Sequence, residues 1–576
     1  MSIERHQYDV VVVGAGGAGL RAAIACAQEG ADTALVCKSL LGKAHTVMAE
    51  GGIAAALGNV AAEDNWQVHF QDTMFGGKYL NNWHMAELHA KEAPDRVHEL
   101  EQWGGVFDRT PERKLSQRAF GGHTHRRLVH IGDRTGLELI RTLQDKAVHA
   151  GIDVFMECTV TRLLTDGDRV CGAFGYRRAT GAPFTFAARA LVLATGGGGK
   201  CWRITSNSWE CTGDGHALAY AVGAELVDME FVQFHPTGMV WPPGVIGLLV
   251  TEAVRGEGGI LRNSTGERFM ERYDPKRLEL STRDVVARAI FTEVKEGRGT
   301  PHGGVFLDVS HLPEQTVRRK LPSMYDQFME LAGVDITREP MEVGPTCHYF
   351  MGGIRVDAET GASSVPGLFA TGECSGGMNG ANRLGGNSLS DLLVFGRRAG
   401  LGAAADAGRA AEPRIAEEQI EDATTEMTWY LSGPGDEDPY RMHSELMATM
   451  QDDVGIFRDE VNLNAAVADL DDFQRRAARL RSPSSGTAFN PGWHLCYDVR
   501  NMLVVSQAVA HAALMRHESR GAHSRLDYPG YDDYWGEHNI VISKGADGSI
   551  QLEPRPVNKA LALRALVEQR QEAERA

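Results

Sequence analysis

The apolar positions run continuously where the chain first becomes ordered. Tyr8-Asp9-Val10-Val11-Val12-Val13 has no polar alternation after Asp9, the pattern of a parallel strand covered on both faces. It enters Gly14-Ala15-Gly16-Gly17-Ala18-Gly19, an alanine-rich stretch to about Gly30 then predicts a helix, and Thr33–Cys37 predicts the next strand. Strand, glycine turn, helix and strand make a βαβ unit. Leu191-Val192-Leu193-Ala194-Thr195-Gly196-Gly197 is another buried strand ending in glycines, and Val365-Pro366-Gly367-Leu368-Phe369-Ala370-Thr371-Gly372-Glu373 repeats that pattern far downstream. The nucleotide-binding domain is therefore expected to be split by an insertion. Beyond it, Ser432–Pro439 reads as a Pro/Gly/acidic connector inside a helical region, and residues from about 440 to 520 carry helical periodicity. Tyr528–Trp535 is loop-like, and Asn539–Ser543 with Ser549–Glu553 predicts a terminal hairpin across Gly545-Ala546-Asp547-Gly548. The expected class is α/β, with domains at 1–240 plus 345–415, 241–344, 416–525 and 526–576.

A chain of 576 residues is too long for one ordinary domain, which agrees with that division. Its formal net charge of −17 argues against nucleic acid, whose phosphates need clustered Lys and Arg. An acidic protein that handles anions must concentrate its positive charge inside a site. The nine cysteines are scattered without any Cys-x-x-Cys, which excludes the common zinc and iron–sulfur ligand spacings in this chain and fits a reduced, intracellular setting. No apolar run approaches the roughly 20 residues that span a bilayer. Val10–Val13 is too short for a signal peptide, so work at a membrane would need partners to hold the protein there.

The glycines have separate tasks. Gly14 permits the tight turn, Gly16 lets the backbone approach a pyrophosphate, and Gly19 packs helix against strand, while the helix N-terminus offers free N–H groups. Where many such folds hold the ribose with an acidic residue, this chain has Cys37-Lys38-Ser39, which weakens an NAD reading. Shortly after comes Lys43-Ala44-His45-Thr46-Val47-Met48-Ala49-Glu50-Gly51-Gly52, which puts His45 where a flavin ring would rest if the first signature holds its phosphates.

Five segments carry polar residues that neither a core nor a surface requires. They hold His235 before Pro236; Thr251, Glu252 and Arg255; Arg283 at a helix start; His348; and Arg383 in a glycine-rich loop. Singly, each has a bland reading: a structural histidine, a solvated arginine, and a Glu252/Arg255 surface ion pair worth little. Metal binding by His235 and His348 is disfavoured, because no carboxylate or cysteine stands beside them at ligand spacing. Together, two histidines, two arginines and a threonine form a clamp for a small dicarboxylate, since arginine matches a carboxylate with a planar two-pronged fork.

These segments together resemble the flavoprotein subunit of succinate dehydrogenase and fumarate reductase, from about Tyr8 to the Arg516–Arg525 region. The resemblance implies a Rossmann-like FAD-binding domain interrupted by an α+β capping domain, then helical and small C-terminal domains. It implies FAD held covalently through His45 by an 8α-methyl linkage. Gly14, Ala15, Gly16, Gly17, Ala18 and Gly19 match the diphosphate loop, and Lys38 and Ser39 the adenosine half. Thr46, Ala49, Glu50, Gly51, Gly52, Asp214, Glu373, Ser388 and Leu389 fall at other flavin-contacting positions. Phe120, His235, Thr251, His348 and Arg383 match the dicarboxylate pocket, Arg283 the group that moves the proton, and Glu252 and Arg255 its relay toward solvent. The reaction implied is the interconversion of succinate and fumarate, with the insertion closing as a lid. Electrons would pass to an iron–sulfur protein subunit, then to quinone in a membrane anchor, on the cytoplasmic face of the membrane. Glu50 points to the reductase direction. His123-Thr124-His125-Arg126-Arg127-Leu128-Val129-His130 also resembles L-aspartate oxidase, a soluble relative with non-covalent FAD, which stays as an alternative. A flavin electron-transfer module without substrate chemistry is a second alternative. It leaves Arg283, His348 and Arg383 without a role.

Overall fold

The computed structural model describes residues 2–575; Met1 and Ala576, the ends of the outermost expected domains, lie outside the described residues. The strand Glu4–Val13 pairs in parallel with Thr33–Val36 on one side and Pro183–Leu193 on the other. Asp153–Phe155 adds beyond Thr33–Val36, and Leu368–Ala370 pairs in parallel with the C-terminal end of Pro183–Leu193. The other end of that strand pairs antiparallel with Arg169–Arg177, which pairs with Cys158–Asp166. Val10, Val11 and Val12 are fully buried, as a strand covered on both faces must be. The helix Gly17–Gln28 begins at the glycine turn and ends before Gly30, which turns at φ +81°. Gly14 has φ +114°, and a Cβ there would lie 2.2 Å from Ala194 O; a Cβ on Gly19 would lie 1.8 Å from Gly14 O. The turn therefore admits no side chain at either position.

The chain leaves this sheet along Val232–Met239 and returns along Met341–Phe350, two strands that pair antiparallel. Their register shifts between His235 and Gly238, where Pro236 has no N–H to donate to the ladder. Val305–Asp308 and Ile260–Arg262 complete a four-stranded sheet on the far side of Met341–Phe350. The helix Arg283–Glu293 packs on Val232–Met239, with Val286, Ala289 and Ile290 in the core of the inserted segment.

Four helices, Glu417–Ser432, Pro439–Asp453, Glu460–Ala477 and Pro491–Met515, form the helical region, with Ser432–Pro439 linking the first two. Asp438, Asp459 and Asn490 cap the last three through their side chains, and proline opens two of them. The terminal hairpin His538–Lys544/Ile550–Pro556 adds to Leu226–Val227, so the chain end joins a sheet begun much earlier. Among the described residues no helix is long and apolar enough to cross a membrane.

Arg516, at the end of Pro491–Met515, fastens this junction. Fully buried, it donates to Glu230 Oε1 at 2.5 Å and Glu518 Oε1 at 3.1 Å and lies over the Phe231 and Trp535 rings. Replacing Arg516 with methionine strands the buried Glu230 carboxylate, whereas Glu518 keeps Arg520 Nε at 2.8 Å and the Asp532 N–H at 3.1 Å, so a loss of about 3–5 kcal/mol is expected. Chemical denaturation checks this; a change within error of zero would show that Glu230 finds another partner.

Candidate active site

One continuous groove runs from the glycine turn to the inserted segment. Its wall contains Gly14, Ala15, Gly16, Gly17, Ala18, Lys38, Ser39, His45, Thr46, Ala49, Glu50, Gly51, Gly52, Asp214, Glu373, Ser388 and Leu389. At the far end the wall is made by Phe120, His235, Thr251, Glu252, Arg283, His348 and Arg383. Of the residues singled out in the sequence, Gly19 and Arg255 stand behind the wall. Gly19 serves the strand–helix contact described above, and Arg255 is a buried neighbour of Glu252.

At the first end, Thr46 Oγ1 accepts from Gly17 N–H at 3.2 Å, tying the His45–Met48 turn to the start of the helix. Lys38 Nζ donates to Asp214 Oδ2 at 3.0 Å, Thr212 Oγ1 at 2.9 Å and Asp498 Oδ1 at 2.5 Å. Burial opposes the lysine charge, but Asp214 and Asp498 outweigh it and hold the ammonium above its usual range. Lys38 and Asp214, read separately in the sequence, are thus one ion pair. Asp498 sits far away on Pro491–Met515 and was not singled out at all.

His45 Nδ1 accepts from the Ser208 backbone N–H at 3.3 Å, which leaves its other ring nitrogen for a ligand. Desolvation pushes the imidazole down to about 4, so it is neutral at physiological pH. Desolvation, and then Asp133, raise the Glu50 carboxyl well above the carboxylate range. Glu373 accepts from Phe350 N–H at 3.0 Å and desolvation lifts it to about 7.

At the other end two guanidinium groups meet. Gln233 Oε1 accepts from Arg283 Nη1 at 3.2 Å and from Arg383 Nη2 at 3.1 Å, while Gln233 Nε2 donates to Arg383 O and Asn382 Oδ1. Gln233 is a site residue the sequence reading passed over. It lies two positions before His235 on the same strand, a spacing that puts both on one face and could have flagged it. Arg383 also donates to Ser388 Oγ at 2.5 Å and lies 4.0 Å over the Tyr349 ring; its Nε has no partner among the described residues. Burial, then Arg283, bring Arg383 down to about 9.

Arg283 Nε donates to Glu252 Oε2 at 2.7 Å, and Glu252 Oε1 accepts from Gly121 N–H at 2.7 Å. Arg255 stands 3.5 Å from Glu252 and donates to Glu279 O at 2.5 Å. Burial opposes the Glu252 charge, yet Arg283 and Arg255 keep the carboxyl below its ordinary value. Glu252 and Arg255 are 1% and 2% exposed, so the surface ion pair expected of them singly is corrected: Glu252 faces Gly121 and Gly385 of the flavin-binding part, and Arg255 faces Glu279 within the inserted segment. His235 engages Thr237 of its own turn through Nδ1, and His348 Nδ1 lies 2.8 Å from Ser206 Oγ. Their rings meet edge to face at 5.1 Å, and burial, with arginines nearby, keeps both neutral.

The chain matches the FAD binding domain family over residues 9–389 and the fumarate reductase flavoprotein C-terminal family over 443–571. It is 46% identical to a fumarate reductase (CoM/CoB) subunit of Methanothermobacter marburgensis, covering 94% of this chain and 98% of that protein. It is 38% identical to a succinate dehydrogenase flavoprotein subunit of Rickettsia bellii, covering 96% of each. Among solved structures, Mycobacterium smegmatis Sdh1 in complex with UQ1 superposes with a TM-score of 0.88 at 56% identity, covering 98% of this chain and 96% of that one.

The groove's chemistry sets a pH dependence for anion binding. A small dianion needs Arg383 protonated, so its affinity is expected to hold through neutral pH and fall as pH rises past about 9. Titration of the flavin spectrum with fumarate across that range checks this. An affinity unchanged well above pH 9 would place the anion away from Arg383.

Proposed function

Because this chain belongs to the flavoprotein-subunit family of succinate dehydrogenases and fumarate reductases, we propose that it interconverts succinate and fumarate on covalently held FAD. The observation that carries the reading is the pair of guanidiniums on Gln233, closed off by Glu252 and flanked by His235 and His348. Two buried cations near each other are costly unless an anion joins them, and a dicarboxylate brings two. Arg383 and His348 would take one carboxylate, Thr251 and His235 the other, with Phe120 closing the pocket.

The groove fits FAD on its own terms. Beside Gly16 a Cβ would meet only Thr46 Oγ1 at 3.4 Å and Ala44 Cβ at 3.7 Å, which leaves the turn open to a phosphate, and the buried Glu50 Oε2 and Arg383 Nε have no partner among the described residues. Bound FAD supplies the two-electron chemistry, taking or giving the hydride equivalent at one substrate carbon. The chain supplies the proton at the neighbouring carbon. Arg283 gives that proton in fumarate reduction and takes it in succinate oxidation, and Glu252, bonded to its Nε, restores the charge state, with Arg255 behind. An arginine can do this only beside other cations and a carboxylate, since its ordinary pKa exceeds about 12. Fixed charges in an enclosed site favour the developing negative charge on the substrate.

A covalent tie through the far nitrogen of His45 leaves a lone pair on Nδ1, and the Ser208 N–H is placed to satisfy it. The remaining assignments follow the family: electrons to an iron–sulfur subunit, then to quinone through a membrane anchor that holds the chain peripherally at the cytoplasmic face. Quinone is favoured by the likeness to Sdh1 in complex with UQ1, whereas the Methanothermobacter relative carries CoM/CoB in its name. The presence of Glu50, where the resemblance puts glutamate in fumarate reductases and glutamine in many succinate dehydrogenases, favours the reductase direction.

Two substitutions test this reading. Denatured wild-type protein is expected to keep flavin fluorescence on a gel, and His45→Ser to lose it while still binding FAD and reducing fumarate better than it oxidises succinate; equal loss in both directions would contradict the assignment. Arg283→Ala is expected to retain flavin but lose at least about a hundredfold in turnover in either direction. Full turnover would remove Arg283 from the proton path.

A further inference from the structure

Three histidines outside the groove converge on the segment that follows Arg383. His69 on the helix Trp66–Gly76, His89 on the helix Trp83–Gln102 and His123 in the loop after Phe120 pack together, the His69 ring 5.0 Å from His89 and 6.0 Å from His123. Each directs Nε2 to a different residue of one short stretch. His123 meets Gly385 O at 2.8 Å, His69 meets Asn387 Oδ1 at 3.0 Å, and His89 meets Ser390 Oγ at 2.8 Å. Between them Gly386 turns the chain at φ +86° into the helix Asn387–Ala407.

The bond directions follow from the partners. A carbonyl only accepts, so His123 donates from Nε2. Ser390 Oγ donates to Asn387 O at 3.2 Å and therefore accepts from His89. Asn387 Nδ2 donates to Thr73 Oγ1 at 3.0 Å, which turns Oδ1 toward His69. All three rings carry their single proton on Nε2, and Nδ1 of each has no partner among the described residues. Desolvation keeps them neutral, His89 down to about 3 and His123 to about 4, with the Arg127 charge acting in the same direction. Asp72, on the same helix as His69, accepts from Thr124 N and Oγ1 at 2.8 and 2.6 Å and so fixes the His123 loop.

The gripped stretch reaches straight into the site. A Cβ on Gly385 would lie 2.5 Å from the Phe120 ring and 3.1 Å from both Arg283 Nη2 and Glu252 Oε2, so its carbonyl is pinned by His123 while its α-carbon touches the pocket. Ser388, within the same stretch, receives Arg383 Nη1. We propose that His69, His89 and His123 are positioning residues that hold the 385–390 turn, and through it the Arg383 guanidinium, at the geometry a substrate carboxylate requires. The proposal rests on the reading of Arg383 as a carboxylate clamp. A displacement of the order of 1 Å in such a group is enough to lose much of its effect.

The test compares His123→Leu with His123→Gln in the purified flavoprotein, with fumarate as the probe and the flavin absorbance change as the signal. Leucine removes the donor to Gly385 O, and glutamine restores an N–H near Nε2. Leucine is expected to weaken fumarate binding about tenfold with flavin content unchanged, and glutamine to bring it back to within about threefold of wild type. A leucine variant that binds like wild type, or a glutamine variant as weak as leucine, overturns the proposal. Should the leucine variant not accumulate as folded flavoprotein, His89→Leu against His89→Gln is read by the same outcomes. Arg383→Gln separates the two levels. Wild-type binding there overturns the clamp reading itself, whereas lost binding there with intact binding in His123→Leu overturns only the histidine proposal.

Discussion

Two buried guanidinium groups share one amide oxygen, and most of the site is arranged around that contact. Arg283 and Arg383 approach Gln233 Oε1 from different segments, one from the inserted helix and one from the loop ahead of Asn387–Ala407. Like charges so placed in a low-dielectric interior repel strongly, and the amide oxygen offers only partial compensation. Glu252 supplies one full negative charge, held by Gly121 N–H and faced by Arg255. Two arginines and a third behind them against one carboxylate leave the pocket short of negative charge. That deficit selects an anionic ligand inside a chain whose own net charge is −17.

The same constraint explains how the fold is wired. Gln233 and His235 lie on the strand that enters the inserted segment, and His348 on the strand that returns from it. Because these two strands pair, the hinge of the insertion is also the floor of the pocket. Movement of the insertion would therefore carry Arg283, Glu252 and Thr251 relative to Arg383, which belongs to the flavin-binding part. The glycine turn, the Lys38–Asp214 pair and the His45 turn line the other end of the same groove and give a cofactor its place beside the arginines.

Much of this was legible in the sequence where the signal is local. The βαβ unit, the return strand near Leu368–Ala370 and the terminal hairpin follow from short apolar runs and the glycines that end them. His45, His235, Arg283, His348 and Arg383 stood out because each sits in a compact polar motif. What escaped was long-range. Asp498 meets Lys38 across 460 positions, and no local pattern marks it. Ser208 reaches His45 through a backbone N–H, which any residue carries. His69 and His89 look like ordinary helical histidines until helix packing brings them to the 385–390 turn. Glu252 and Arg255 show the converse: an i, i+3 pair that typically lies on a surface is buried here because this part of the insertion packs against Gly121 and Gly385 of the flavin-binding part.

A four-carbon dicarboxylate spanning from Arg383 to Thr251 would fill this charge deficit. A crystal structure of the flavin-loaded protein with fumarate tests it most directly. One carboxylate is expected on Arg383 and His348, the other on Thr251 and His235, with Arg283 the nearest side chain to an alkene carbon. Fumarate bound with either carboxylate outside those partners, or with Arg283 turned away from the double bond, would contradict it.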